Sequence, residues 1–330
     1  MAKKENKYTS IGGSALIEGV MMRGNDKLAI AVRRSDGSIQ MKVQPQTAPN
    51  RWFHKVPILR GIINFILSMK MSYECLMYSA DVSMEGIEEP EEPTKMDRVL
   101  DKLLGKTGMA VLGAVSMVLG LALSLFLFMY LPALFTGWAM PAAHPALKAV
   151  VEGFIKIAVF LAYLLLCSLM PDMRRTFQYH GGEHKSIFCY EGKQELTIEN
   201  AKKCKRLHPR CGTSFMFFTL LISIVVAMFL PWGNRLVRTL IKIAFIPLVM
   251  GVAYEFIRYA GKHENPLTRI LSAPGKWFQL ITTREPDEKQ LAVALVALKG
   301  VLNEYPMEKE IIVDEDGTYL KDKEEKCEQN

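Results

Sequence analysis

The apolar run from Met109 to Phe135 constrains this chain more than any other feature, because it contains no charged residue. It exceeds the roughly 20 helical residues needed to cross a hydrocarbon core. Three further runs follow: Leu147 to Met170, Gly212 to Trp232 and Leu236 to Tyr259. The second carries Glu152 and Lys156 near its start, at i,i+4 spacing. The third is uncharged. The fourth has Arg238 and Lys242 near one end and Glu255 and Arg258 near the other. Of the 330 residues, 50% are hydrophobic, an ordinary amount concentrated in these runs. The pattern predicts an α-helical integral membrane protein with four transmembrane helices. A small cytoplasmic α+β domain, formed by the N- and C-terminal regions, completes the expected fold. For the second and fourth runs the competing reading is a helix buried in a soluble core.

Charge sets the orientation. Lys95, Arg98, Lys102 and Lys106 precede the first span, and no Asp, Glu, Lys or Arg lies in the connection 137–146. The polar stretch between the second and third spans is basic, with Arg174, Arg175, Lys185, Lys193, Lys202, Lys203, Lys205, Arg206 and Arg210. Arg258, Lys262 and Arg269 follow the fourth span. Positively charged segments stay on the cytoplasmic side, so both termini and the central loop are expected there. The start Ala2-Lys3-Lys4-Glu5-Asn6-Lys7 leads into no apolar h-region, so no signal peptide is expected. The six cysteines read as thiols, since most fall on the cytoplasmic side or within a span.

Three regions result. Residues 1–106 form a cytoplasmic N-terminal region, 107–260 a four-helix membrane domain with a His/Cys loop at 171–211, and 261–330 a cytoplasmic C-terminal region. In the first, Leu28–Arg33 and Ile39–Val43 flank Ser35-Asp36-Gly37-Ser38, a β-hairpin pattern. Two strands alone are marginal, so they need a partner surface. Pro57 to Met71 reads as an interfacial or core helix continuing toward Ala80, followed by an acidic linker over 85–97. In the last region, Asp287 to Asn303 reads as a helix with the stripe Leu291, Ala294, Leu295, Leu298 and Leu302. Thr282 or Thr283 is placed to cap it. Residues 308–320 add a strand and turn, and 321–330 form a charged tail. The hairpin and the last helix are expected to pack as one domain.

Chemistry concentrates in Tyr179-His180-Gly181-Gly182-Glu183-His184-Lys185. On a helix, His180 and His184 would stand one turn apart and aim at one point. The H-x-x-E-H order is the reversed zincin pattern, and Glu183 suits a general base. Gly181 and Gly182 each disfavour a helix interior by about 1 kcal/mol, so a loop or helix start competes with a helix. A second cluster, His208-Pro209-Arg210-Cys211-Gly212-Thr213-Ser214, ends where the third span begins. Thr213 or Ser214 could cap that span. Arg210 and the helix N-terminus favour a Cys211 thiolate. A site of His180, His184, His208 and Cys211 around a divalent metal, most simply zinc, follows if the two spans are antiparallel neighbours. Glu191 and Cys204 are reserve ligands. Glu255 is a second catalytic candidate, because carboxylates in membrane segments are often functional, although an ion pair with Arg258 would satisfy it. The glycine-dense Gly12 to Gly24 fits no phosphate-loop template.

These segments, with Tyr254-Glu255 and Thr282-Thr283-Arg284-Glu285-Pro286, resemble the YqhQ-like family of bacterial membrane proteins over roughly residues 10 to 300. The resemblance implies a predicted metal-dependent enzyme of the bacterial cell membrane, with no established substrate. Two functions compete. One is a membrane-integral metal-dependent hydrolase with its site on the cytoplasmic face. The other is a non-catalytic partner whose basic face, with Lys202-Lys203-Cys204-Lys205-Arg206 and a net charge of +7, docks anionic lipid or the ribosome and insertion machinery. Transport is a weaker third, since four spans with few buried charges offer little path for an ion.

Overall fold

The structure, a computed structural model, describes residue 9 and residues 11–46, 55–85, 108–208, 211–262, 266–307 and 310–322. Most of the expected acidic linker, the basic stretch to Lys106, Pro209-Arg210, the Ser214 side chain and the tail beyond Asp322 lie outside these residues. The chain divides into two compact units. One comprises Met1–Gly86, Leu164–Phe218 and Met250–Asn330, the other Ile87–Tyr163 and Thr219–Val249.

The first unit is built on six antiparallel strands in sequential order: β1 (Gly12–Leu16), β2 (Gly19–Arg23), β3 (Lys27–Arg33), β4 (Ile39–Pro45), β5 (Glu310–Val313) and β6 (Tyr319–Asp322). The expected hairpin is β3–β4, closing at Gly37 with φ 88° and pairing Arg33 with Ile39. Its partner surface is β2 on one side and the C-terminal β5 on the other, with Met41 opposite Ile311. Lys321 and Asp322, expected in the tail, belong to β6.

Alternation puts apolar residues on both faces of this sheet. Val20, Met22, Ala29, Ala31, Met41 and Val43 face one way. Met21, Leu28, Ile30 and Val32 face the other, against Cys75 and Val82 of helix α1 (Leu59–Met84). Each such side chain fully buried contributes roughly 1.5–3 kcal/mol. Gln40, also buried, donates to Tyr78 Oη of α1 at 2.9 Å.

The first membrane run forms a continuous helical rod: α2 (Gly108–Leu125), a π-helical turn (Phe126–Tyr130) and α3 (Leu131–Ala139). Pro132 cannot donate a backbone hydrogen bond, and the π turn lies directly before it. Next come α4 (Pro145–Leu169), α5 (Pro171–Glu191), α6 (Ile198–Lys203), α7 (Gly212–Met228), α8 (Arg235–Lys262), α9 (Pro266–Thr282) and α10 (Glu288–Val301). Among the described residues, three segments are long and apolar enough to cross a membrane: Val115–Ala139, Pro145–Leu169 and Arg235–Tyr259. The third run yields only the 17-residue α7.

Several expectations need correction. Residues 171–211 are not mainly a loop, since α5 carries the whole His/Glu motif. Helix α10 has no single apolar stripe. It is buried on nearly every side, with Val293, Val296 and Ala297 in the sheet core and Leu291 and Leu295 against Cys189 and Ala201. Its cap is Asp287, not a threonine: Gln290 N–H donates to Asp287 Oδ1 at 2.7 Å and Asp287 N–H to Gln290 Oε1 at 3.0 Å. Thr282 and Thr283 instead bond back to carbonyls of Phe278 and Gln279. Thr213 Oγ1 is buried with no hydrogen bond among the described residues, so it caps nothing. Buried charges in the membrane segments are not few: Glu152, Lys156, Arg238 and Lys242 are all buried.

Candidate metal centre

Helix α5 stays helical through Gly181 because a side chain there has no room. A Cβ on Gly181 would run into the carbonyl oxygen of Arg284. The helical cost of glycine, about 1 kcal/mol, is offset by close contact with the segment between α9 and α10. That segment is tied down by the Arg284 N–H, which donates to Phe177 O at 2.8 Å.

On this helix His180 and His184 stand one turn apart, their ring centroids separated by 4.5 Å. His180 Nδ1 lies 2.8 Å from Thr282 O, and His184 Nδ1 is hydrogen-bonded to Arg206 O. A carbonyl only accepts, so each neutral ring carries its proton on Nδ1 and presents a bare lone pair on Nε2. His180 Nε2 is 3.1 Å from Cys211 Sγ. His184 Nε2 is buried with no hydrogen-bond partner among the described residues. One ligand atom from each of His180, His184 and Cys211 lies within 4.8 Å of the others. Burial lowers the His184 pKa, against the opposing pull of the Cys211 sulfur and the Arg206 carbonyl, and so favours the neutral ring. These three residues could hold a metal ion. Imidazoles anchored through the outer nitrogen to a carbonyl are the usual arrangement at such centres.

Glu183 is buried, with its carboxylate 3.8 Å from His180 Nε2. Its side chain rests on Gly13 of β1, where a Cβ would approach Glu183 Cγ to 2.9 Å. Burial raises its pKa, opposed by His180, His208 and the Gly13 N–H.

Of the remaining candidates, His208 lies nearby, its ring centroid 5.7 Å from that of His184. His208 does not join the three donors. Its Nε2 is 3.4 Å from Glu191 Oε2 and its ring packs on Phe188, with centroids 4.7 Å apart. Glu191 also accepts from Thr9 N–H at 3.0 Å. Cys204 Sγ donates to Asn200 O at 3.4 Å. Glu255 pairs with Arg60 of α1 rather than with Arg258, Arg60 Nε lying 2.6 Å from Glu255 Oε1, and it accepts from Ile58 N–H.

Sequence reasoning missed Thr282, Arg206 and Gly13 as parts of this centre. Thr282 and Arg206 act through backbone carbonyls, which no side-chain pattern reveals. Gly13 acts through the lack of a side chain. The available signal was the resemblance, which had already grouped Gly12–Gly24 and Thr282–Pro286 with the histidines. Arg206 is further used inside the fold, donating through Nη1 to Thr283 O at 3.0 Å.

An α+β unit with two pinned histidines facing one cysteine, in a chain carrying membrane-length apolar helices, defines the class. The particular family follows from comparison. The model of the family described as "Protein of unknown function (DUF1385)" matches residues 56–304. The chain is also 33% identical to the "Uncharacterized protein YqhQ" of Bacillus subtilis (strain 168) over 298 residues, covering 88% of this chain and 92% of that protein. The chain therefore belongs to the DUF1385, YqhQ-like family. No solved structure matches it.

Proposed function

We propose that this protein is a membrane-integral, metal-dependent hydrolase with its site on the cytoplasmic face. The observation that carries this reading is the pair of Nδ1 anchors, which hold the His180 and His184 lone pairs toward Cys211. Two imidazoles and a thiolate suit zinc. A bound zinc ion would lower the pKa of its water to about 7 and polarise the scissile group. The chain's own residues supply the rest. Thr282 O and Arg206 O fix the tautomers and aim the rings. Glu183 sits beside them as the base. Burial raises its pKa, and a carboxylate so tuned retains an abstracted proton better.

In this reading α7 is also a span, the third of four in chain order, at the short end of the roughly 17–25 residue range. Both termini and the sheet are cytoplasmic, as the loop charges require. The non-catalytic alternative draws on the basic run, but Lys202 pairs with Glu288 and Arg206 bonds inward, which leaves fewer cations for a phosphate surface.

The test is elemental mass spectrometry on the natively purified full-length protein beside the His184→Ala, Cys211→Ala double variant. Stoichiometric zinc or iron in the parent, absent from the variant, supports the centre and justifies a hydrolase screen. Metal in neither moves the function to the partner-protein reading.

A further inference from the structure

The second unit holds a buried charge cluster independent of the histidines. Glu152 and Lys156 come from α4, Arg238 and Lys242 from α8. All four are buried. The i,i+4 spacing suggests that Glu152 should pair with Lys156. Instead Glu152 accepts from Arg238 Nη2 at 3.3 Å and from Lys242 Nζ. Arg238 is otherwise occupied with the end of α7, donating to Ala227 O, Leu230 O and Pro231 O, and its guanidinium lies 4.1 Å above the Trp232 ring.

Lys156 is thus left without a carboxylate of its own. Among the described residues its Nζ donates to Ser223 Oγ alone, at 3.3 Å. Arg238 Nε is buried with no hydrogen-bond partner among the described residues. Among the described residues, Arg238 and Lys242 share the Glu152 carboxylate, and no second carboxylate pairs with Lys156. Three cationic side chains therefore share one carboxylate inside helices long and apolar enough to lie in a bilayer. Excess positive charge there is costly, and such residues mark binding sites or pathways.

We propose that Lys156, Lys242 and Arg238 form an oxyanion site within the membrane segments, taking a phosphate group. Glu152 neutralises one cation and positions Arg238 and Lys242, while the phosphate neutralises the surplus. Lys156, with three donor hydrogens and one protein acceptor, is the principal contact. The phosphate comes either from free inorganic phosphate or from the headgroup of an anionic phospholipid.

The experiment uses the full-length protein in phosphate-free zwitterionic detergent. Binding of radiolabelled inorganic phosphate is measured directly. Native mass spectrometry then follows retention of phosphatidylglycerol from nanodiscs of phosphatidylcholine with and without that lipid. The parent is expected to bind one of the two probes at least about tenfold more tightly than Lys156→Met, a factor equivalent to 1.4 kcal/mol. Lys148→Met, at the helix end, should match the parent. Phosphate binding identifies a soluble ligand, and phosphatidylglycerol retention identifies a lipid. The proposal is overturned if the parent binds neither probe, or binds both no better than Lys156→Met. Should Lys156→Met fail to fold, Lys156→Gln, which keeps a donor for Ser223 but removes the charge, must weaken binding relative to the parent, and unchanged binding there overturns it equally.

Discussion

His180 and His184 commit their outer ring nitrogens to two backbone carbonyls and turn their inner nitrogens on one cysteine. Glu152 instead commits both carboxylate oxygens to neighbouring cations. The first cluster, with His184 buried and His180 and Cys211 partly buried, is held by backbone carbonyls that fix each ring. The second is held by side-chain contacts around one carboxylate and depends on each partner being present. Both are polar groups, yet they should respond to mutation in different ways, because one is positioned by backbone hydrogen bonds and the other by charge pairing.

The largest effect expected is at the ionic cluster. Glu152→Ala strands three buried cations and should cost about 3–5 kcal/mol, read as a shift in denaturant titration in detergent. Adding Lys242→Met should recover part of it, and an unchanged unfolding free energy would break the contrast. Next is Gly181→Val, which drives a side chain into the Arg284 carbonyl. Overpacking of this kind costs typically 1–3 kcal/mol, and loss of metal occupancy should accompany it because the Thr282 anchor shifts. A third variant sharpens the comparison: in metal-stripped protein, Cys211→Ser should stay within about 1 kcal/mol of the parent, as substitutions without a cavity or a stranded charge do. Its metal affinity, measured by competition with a chelator, should nevertheless fall at least tenfold.

The smallest effect concerns Glu18, at the β1–β2 turn. Burial raises its pKa, but the Arg175 fork, with help from Tyr179, outweighs burial and leaves it below the usual carboxylate value. A carboxylate with a depressed folded pKa contributes stability above its unfolded value and loses it as pH falls through the folded one. The pair is partly exposed, so Glu18→Gln should cost only about 0.5 kcal/mol at pH 7. The difference between parent and variant should shrink as the solution is acidified below the usual carboxylate range. A gap independent of pH would show that the ion pair contributes nothing.

The sequence made three of the four expected membrane-length helices legible because hydrophobic length is a property of the chain alone. It made the H-x-x-E-H donors legible because their spacing is local. It did not reveal that residues around Gly181 are helical, because a tertiary contact with Arg284 overrides the low helix propensity of glycine. Nor did it separate Cys211 from His208, three residues earlier. Cys211 stands at the start of α7 facing the rings, while His208 is drawn away to Glu191. The i,i+4 pair Glu152–Lys156 misled in the same way, since partners on α8 reach the carboxylate from across the bundle.

The anchor on Thr282 has a consequence for how the protein is made. His180 leaves the ribosome about 100 residues before the carbonyl that fixes its tautomer. At a synthesis rate of roughly 5–20 residues per second, the ring waits for roughly 5–20 s. Strand β5, which closes on β4, arrives later still. A nascent chain therefore passes through a period in which His180 is on the helix but not yet aimed, while His184 has its Arg206 anchor. A truncated product ending before Thr282 would carry both imidazoles and the thiol without the anchor on His180.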